Sequence, residues 1–315
     1  MAKILDFVRR SAAPEPRTAP GTIPAAEASV AALAGGFSIE VMPKTAARVE
    51  DFRALLPAGT RVYVAHIDGT PVSDMVATAR RLVDEGFAVM PHVPARGVLS
   101  AAELDSRLAA YADAGVTGAL VLAGGIERPH GPFSEAMQLL RTGRFDARGF
   151  TRLHVAGHPE GNRDIDPAGG ESACMAALRA KAGFARETDA EMAVVTQFVF
   201  DAAPVIAWAD RLAAAGIDLP LHIGVAGPAK LQTLIRYAMT CGVGPSLKVL
   251  HRRAADLTKL MLPFTPDAVL ADLAAHKAAH PESAIAGVHF FPLGGIGATT
   301  DYAGALASRP RRALA

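Results

Sequence analysis

Eight times along this chain a short apolar, β-branched run ends in polar, glycine or proline residues and gives way to an alanine- and leucine-rich amphipathic stretch. That repeat leaves few topologies open. The strand candidates are 37–42, 61–67, 87–93, 118–123, 151–157, 192–200, 219–225 and 285–291. Helices are expected between them at about 46–56, 73–85, 100–114, 133–140, 171–187, 204–215 and 230–240, with an extra helical stretch over 253–280 before the last strand. The strands are apolar without strict alternation, as strands buried on both faces are. Units of this kind predict an α/β protein, a closed parallel (β/α)8 or TIM barrel with its helices outside; an open doubly wound sheet is the alternative.

Residues 1–35 stand apart as a Pro/Ala-rich N-terminal arm, with Pro14, Pro16, Pro20 and Pro24 leading into a short helical pattern at 25–33. The barrel then occupies 36–315 as a single domain, and no regulatory domain is expected after strand eight. At 315 residues the chain buries a core without disulfides or a structural metal. Cys174 and Cys241 form neither a disulfide framework nor a zinc spacing, which suits a reducing compartment.

Charge excludes several function classes. Thirty-two Lys and Arg against 31 Asp and Glu leave a formal net charge of +1, so no electrostatic case exists for nucleic acid or an anionic membrane. The two arginines near the N-terminus are followed by Ser-Ala-Ala-Pro-Glu-Pro, not by the apolar run of an export signal. No stretch approaches the roughly 20 apolar residues of a membrane helix. A soluble cytoplasmic protein is expected.

In such a barrel the chemistry sits at the C-terminal strand ends and the loops that follow them. Strand one ends Ser38-Ile39-Glu40-Val41-Met42-Pro43 and places a carboxyl in an apolar strand. Burial there raises a carboxyl's pKa and suits a general acid, unless Glu40 instead pairs with Arg96 or another cation as a structural group. His92 ends strand three, either facing a ligand or bonding a backbone carbonyl. Gly124-Gly125 after strand four brings backbone N–H groups near a ligand or simply makes a turn. Strand five ends in the polar cluster His158-Pro159-Glu160-Gly161-Asn162. Gln197 interrupts strand six with a donor and acceptor pair fitted to a heterocycle edge, or to a buried neighbour. Phe290 and Phe291 at strand eight stack a ring or plug the barrel mouth. His92, His158, His222 and His289 raise the thought of a metal hydrolase, but no His-x-His on strand one and no Asp on strand eight accompany them, so no metal is expected.

In chain order these segments resemble the methylenetetrahydrofolate reductase family over about 36–295. Ser38-Ile39-Glu40-Val41-Met42-Pro43 is similar to the family's Phe-Glu-Phe-Phe-Pro-Pro strand, and His92 to its third-strand His. Pro159-Glu160 matches a Tyr-Pro-Glu turn, Thr196-Gln197-Phe198-Val199-Phe200-Asp201 the Thr-Gln-Phe-Phe-Phe-Asp run, and Gly287-Val288-His289-Phe290 the Gly-Ile-His-Phe segment.

The resemblance implies a TIM barrel that holds FAD at its mouth and reduces 5,10-methylenetetrahydrofolate to 5-methyltetrahydrofolate with NADH or NADPH, within one-carbon metabolism and methionine biosynthesis. It implies Glu40 as the general acid and Gln197, with Phe290 and Phe291, on the folate. It implies His92, Gly124, Gly125, His158, Asn162 and Lys181 on the cofactor, Lys181 pairing a diphosphate. A homo-oligomer is expected in the same way, with the helix face 268–279 available to it. The departures cluster on the flavin side: the family's Arg-Gly-Asp reads Ala123-Gly124-Gly125, its tyrosine before Pro-Glu reads His158, and its Thr-Leu-Asn-Arg reads Pro292-Leu293-Gly294-Gly295. A flavin-independent, folate-binding reductase, or a subunit of a one-carbon transfer system, is the alternative.

Overall fold

The computed structural model describes residues 25–240, 250 and 263–308. Eight parallel strands close in sequence order into a barrel, so the chain is a single-domain (β/α)8 TIM barrel. The strands are β1 (Ser38–Val41), β2 (Arg61–Val64), β3 (Ala88–Pro94), β4 (Gly118–Leu122), β5 (Arg152–Gly157), β6 (Glu191–Val199), β7 (Leu221–Ala226) and β8 (Ile285–Phe291). All eight lie within two residues of their expected starts. Among the described residues no helix is long and apolar enough to cross a membrane.

The helix boundaries follow from local chemistry. In the helix Ala101–Asp113 the Ser100 side chain accepts from the Glu103 N–H, and in Ala202–Ala214 the Asp201 carboxylate accepts from Ala203 N–H, each satisfying an otherwise unpaired first-turn donor. Gly115 and Gly216 end these helices with φ of +79° and +69°. The next residues, Val116 and Ile217, donate back to Tyr111 and Leu212, the closing bonds of a Schellman turn that aims the chain into the next strand. The expected helix at 46–56 is instead two short turns, Pro43–Ala46 and the 3-10 turn Phe52–Ala54. A helix at Ile296–Ala307 follows β8 and was not foreseen. Pro14 to Pro24, Cys241 and the part of the 253–280 stretch up to 262 lie outside the described residues; the remainder of that stretch forms a helix at Asp267–Ala279.

Alternation along each strand divides the core in two. Outward residues such as Ile39, Val62, Val64, Leu153 and Val155 pack with the inner helix faces into one large apolar cluster. Inside the barrel a small cluster of Tyr63, Met90, Leu120 and Val195 is ringed by buried polar groups, Ser38, His154 and His289 among them. A fully apolar interior would need no such groups. Their presence under the C-terminal mouth is what positions the site.

Candidate functional site

The strand ends surround a cavity of about 600 Å³, lined by Glu40, His92, His158, Gln197, His289 and Phe291 together with apolar Leu120, Leu122 and Val195. The register of β1 on β8 pairs Ser38 with His289, and the two-residue period of a strand puts Glu40 on the same inner face as Ser38. Ser38 Oγ lies 3.0 Å from His289 Nδ1. With the hydroxyl donating, the neutral ring carries its proton on Nε2. That Nε2 faces Glu40 Oε2 at 3.9 Å, and His92 Nε2 approaches the same oxygen at 3.3 Å. Neither contact has full hydrogen-bond geometry, so both buried Nε2 atoms keep bonding capacity beside the cavity.

Burial pushes the Glu40 carboxyl up, but the His289 and then the His92 imidazole outweigh it and hold the carboxyl well below the usual range. The expectation of a raised, proton-carrying Glu40 is therefore corrected: the group is a carboxylate at neutral pH. His289 is pushed down by burial and stands neutral beside it. Arg96 is not its partner. That guanidinium binds Asp164 at 2.8 Å and the carbonyls of Ser134 and Ile126, both at 3.1 Å.

Gln197 owes its position to an irregularity. The β6–β7 register shifts between Val195 and Phe198, and such a bulge re-aims the side chains within it. Thr196 Oγ1 accepts from Gly224 N–H at 2.8 Å and so repairs the interrupted ladder. A Cβ at Gly224 would stand 2.5 Å from Thr196 O and 2.7 Å from Gln197 O, so only glycine tolerates the approach. The Gln197 Oε1 accepts from Phe198 N–H at 3.1 Å, which leaves its amide N–H groups for a ligand.

Beneath the cavity runs a polar column of which the sequence reading singles out only His222. The Tyr63 hydroxyl is hydrogen-bonded to His154 Nδ1 at 2.6 Å, His154 stacks on His222 at 5.3 Å and 12°, and His222 Nε2 lies 3.4 Å from Arg61 Nη1. Burial drives His154 to about 2 and His222 to about 3, so both are neutral. Strand parity was the available signal, since Arg61, Tyr63, Arg152, His154 and His222 all alternate with outward apolar neighbours. Among the described residues no group of three or more His, Cys, Asp or Glu is placed to hold a metal.

A second cavity of about 430 Å³ adjoins the first, sharing His158, Gln197 and Phe198 with it. Gly124, Gly125 and Asn162, which the resemblance put on the cofactor, come together here with Glu127, Glu160, Arg163 and Asp164. His158 sits where the two cavities meet; burial lowers it to about 4, and its Nδ1 lies 3.4 Å from the Asn162 amide nitrogen.

Two residues do not join either wall. Lys181 is buried in the helix Ser172–Phe184, with Nζ donating to the Ala156 carbonyl at 2.8 Å, so it faces β5 and no diphosphate. Phe290 falls on the outward face of β8 and packs edge-on against Phe37, 5.6 Å away, within the helix layer. Phe291, one residue on, is the aromatic that reaches the cavity.

These residues do not fit a flavin dinucleotide. A diphosphate needs convergent cations or free backbone N–H groups, yet among the described residues the second cavity sets Glu127, Glu160 and Asp164 against Arg163, while Arg96 is spent on Asp164 itself and Lys181 on the Ala156 carbonyl. Carboxylates suit the hydroxyl groups of a ribose instead.

No known family profile matches this sequence. Among solved structures, an uncharacterized protein from Clostridium thermocellum that binds two copies of 5-methyl-5,6,7,8-tetrahydrofolic acid is 9% identical, with a TM-score of 0.57 over 89% of this chain and 96% of that one. A Yersinia pestis DHPS with a pterine-sulfa conjugate is 13% identical, with a TM-score of 0.40 over 88% of this chain and 94% of that one. At such identities the first likeness is one of fold: the chain shares the barrel architecture of that tetrahydrofolate-binding protein.

Proposed function

We propose that this chain is a reduced-folate oxidoreductase, converting 5,10-methylenetetrahydrofolate to 5-methyltetrahydrofolate with NADH or NADPH. The observation that carries the reading is Glu40, the one carboxylate on the cavity wall among the described residues, which lies between the imidazoles of His92 and His289, with the Gln197 amide on another wall. The Clostridium thermocellum barrel binds 5-methyltetrahydrofolate, so the architecture accommodates this ligand class.

The reaction opens the methylene bridge: the bond from carbon to N10 breaks, N10 takes a proton, and a cationic iminium forms on N5. Hydride addition to that carbon then gives the methyl group. An ionised Glu40 stabilises the cation as it develops, in a largely apolar surround where such an interaction is strong. With Glu40 ionised and His289 neutral, N10 takes its proton from solvent water entering the cavity, while the Nε2 atoms of His92 and His289 hold the carboxylate in place beside the cation. Gln197 donates its amide N–H groups to the pterin edge. The nicotinamide riboside end of the donor enters the second cavity, its hydroxyls facing Glu127 and Asp164 and its diphosphate left in solvent. Its ring meets the pterin at the shared wall of His158, Gln197 and Phe198.

An absorbance scan before and after adding FAD, with gel filtration between, combined with stoichiometric NADH oxidation on addition of the methylene folate, tests this. A colourless protein that oxidises NADH only with the folate present is the expected result. Retained flavin bands would return the hydride to a bound flavin, the second reading. Failure of calorimetry to detect any reduced folate would overturn the proposal.

A further inference from the structure

The first cavity is charged asymmetrically. Among the described residues Glu40 is the one carboxylate on its wall and Arg48 the one Lys or Arg. Glu40 sits on an inner strand face, with its side chain 20% exposed, whereas Arg48 is an exposed residue of the segment after β1. The segment carrying Arg48 is held from behind: Arg81 donates to the carbonyls of Ala46 at 3.1 Å, Val49 at 2.7 Å and Glu50 at 2.9 Å. Arg81 is itself fixed by Glu85 at 2.7 Å, and the other Glu85 oxygen accepts from Phe52 N–H at 2.9 Å. Four of the five Arg81 N–H groups are thereby engaged in holding this segment. Arg48 is left, among the described residues, with no side-chain hydrogen bond or ion pair, while it lines the cavity. A guanidinium placed this way lacks only an anion, and planar carboxylate is the group its fork fits best.

A reduced folate has such an asymmetry of its own, a pterin and a reacting cation at one end and glutamate carboxylates at the other. We infer that Arg48 is the counter-charge for the substrate's glutamate tail, and that it selects folates with longer, more negative tails. The inference rests on the reduced-folate reading above. Glu40 and Arg48 then set the direction of binding together, since the reversed ligand would bring carboxylates to Glu40 and leave Arg48 unpaired.

Calorimetric titration of the full chain with 5-methyltetrahydrofolate carrying one glutamate, the same compound carrying three, and a methyltetrahydropterin with no tail provides the test. The wild type is expected to bind the triglutamate most tightly, with a preference that shrinks as salt is raised. Arg48→Ala weakens the glutamylated ligands by about tenfold, the size of one charge-assisted hydrogen bond at an exposed rim, and Arg48→Glu weakens them further and reverses the order. Both variants bind the tail-less pterin as the wild type does, which shows that the cavity is intact. A tail preference unchanged in Arg48→Glu, with all three ligands still binding, overturns the role of Arg48 alone. If none of the three binds to any variant, the folate reading falls and takes this inference with it.

Discussion

The two cavities share a wall but are built in opposite ways. The first is built around strand residues, Glu40, His92, Gln197 and His289, whose positions are dictated by barrel register, and its carboxylate lies between two imidazoles, of which burial keeps His289 neutral. The second is made by loop residues after β4 and β5, with glycines and solvent-facing carboxylates. Strand-borne groups are preorganised and stabilise charge during a reaction; loop-borne groups accommodate the shape of a co-substrate. Under the proposed function, chemistry belongs to the first cavity and recognition of the hydride donor to the second.

The largest effect belongs to the carboxylate. Glu40→Gln keeps the shape and removes the charge that stabilises the cation, and folate reduction is expected to slow by about 10²- to 10⁴-fold with substrate affinity little changed. A rate within a few-fold of wild type, measured in single turnover, would sink the assignment of the chemistry to the first cavity.

The next effect comes from beneath that cavity. His154 and His222 have folded-state pKa values near 2 and 3, below the ordinary value of 6.5. A group lowered in this way stabilises the fold above its unfolded pKa, and the contribution is lost as pH falls from about 6.5 through the folded values. At pH 5 one such histidine accounts for about 2 kcal/mol. Glu40 adds its own loss below its ordinary 4.5. Urea melts at pH 7 and pH 5 should show this fall, and His154→Gln, which keeps a hydrogen-bonding group toward Tyr63, should flatten it by about one proton. A wild type equally stable at both values would mean that the column titrates freely and does not sit in a desolvated interior.

The barrel was legible in the sequence because doubly buried strands and amphipathic helices write opposite periodicities, and all eight strands announced themselves that way. Glu40, His92 and Gln197 were legible as polar residues interrupting apolar strands. What was not legible depended on parity and on partners. Phe290 and Phe291 are adjacent, identical in chemistry and opposite in direction, and only the register of β8 separates them. The Glu40 pKa could not be read from burial alone, because the imidazoles that lower it, His289 and His92, come from other strands far along the chain. Lys181 reads like a diphosphate ligand until the Ala156 carbonyl is seen to claim it.

Gln197 tests the wall that the cavities share. Gln197→Ala removes amide donors without changing the bulge, whose repair belongs to Thr196 and Gly224. Reduced-folate affinity is expected to fall by about tenfold, the worth of one to two hydrogen bonds in a part-buried site. NADH affinity should fall too, by less, because Gln197 also lines the second cavity. An effect on NADH alone would reverse which ligand occupies which cavity.

The smallest effect is expected at Gly125, and its smallness is the point. A Cβ there meets nothing within 4 Å, and its φ lies outside the positive region, so Gly125→Asp is sterically free, unlike a substitution at Gly224. The new carboxylate faces the second cavity, which already carries Glu127, Glu160 and Asp164. Stability should stay within about 0.5 kcal/mol of wild type, as for most surface changes. Reduced-folate affinity should stay within about twofold, because charges across solvent are screened over roughly 8–10 Å at ordinary ionic strength. Only the Michaelis constant for NADH should move, and modestly. If Gly125→Asp instead abolished folate binding, the folate would have to reach into the loop-built cavity, and the division of labour between strand-borne and loop-borne residues would fail at its clearest point.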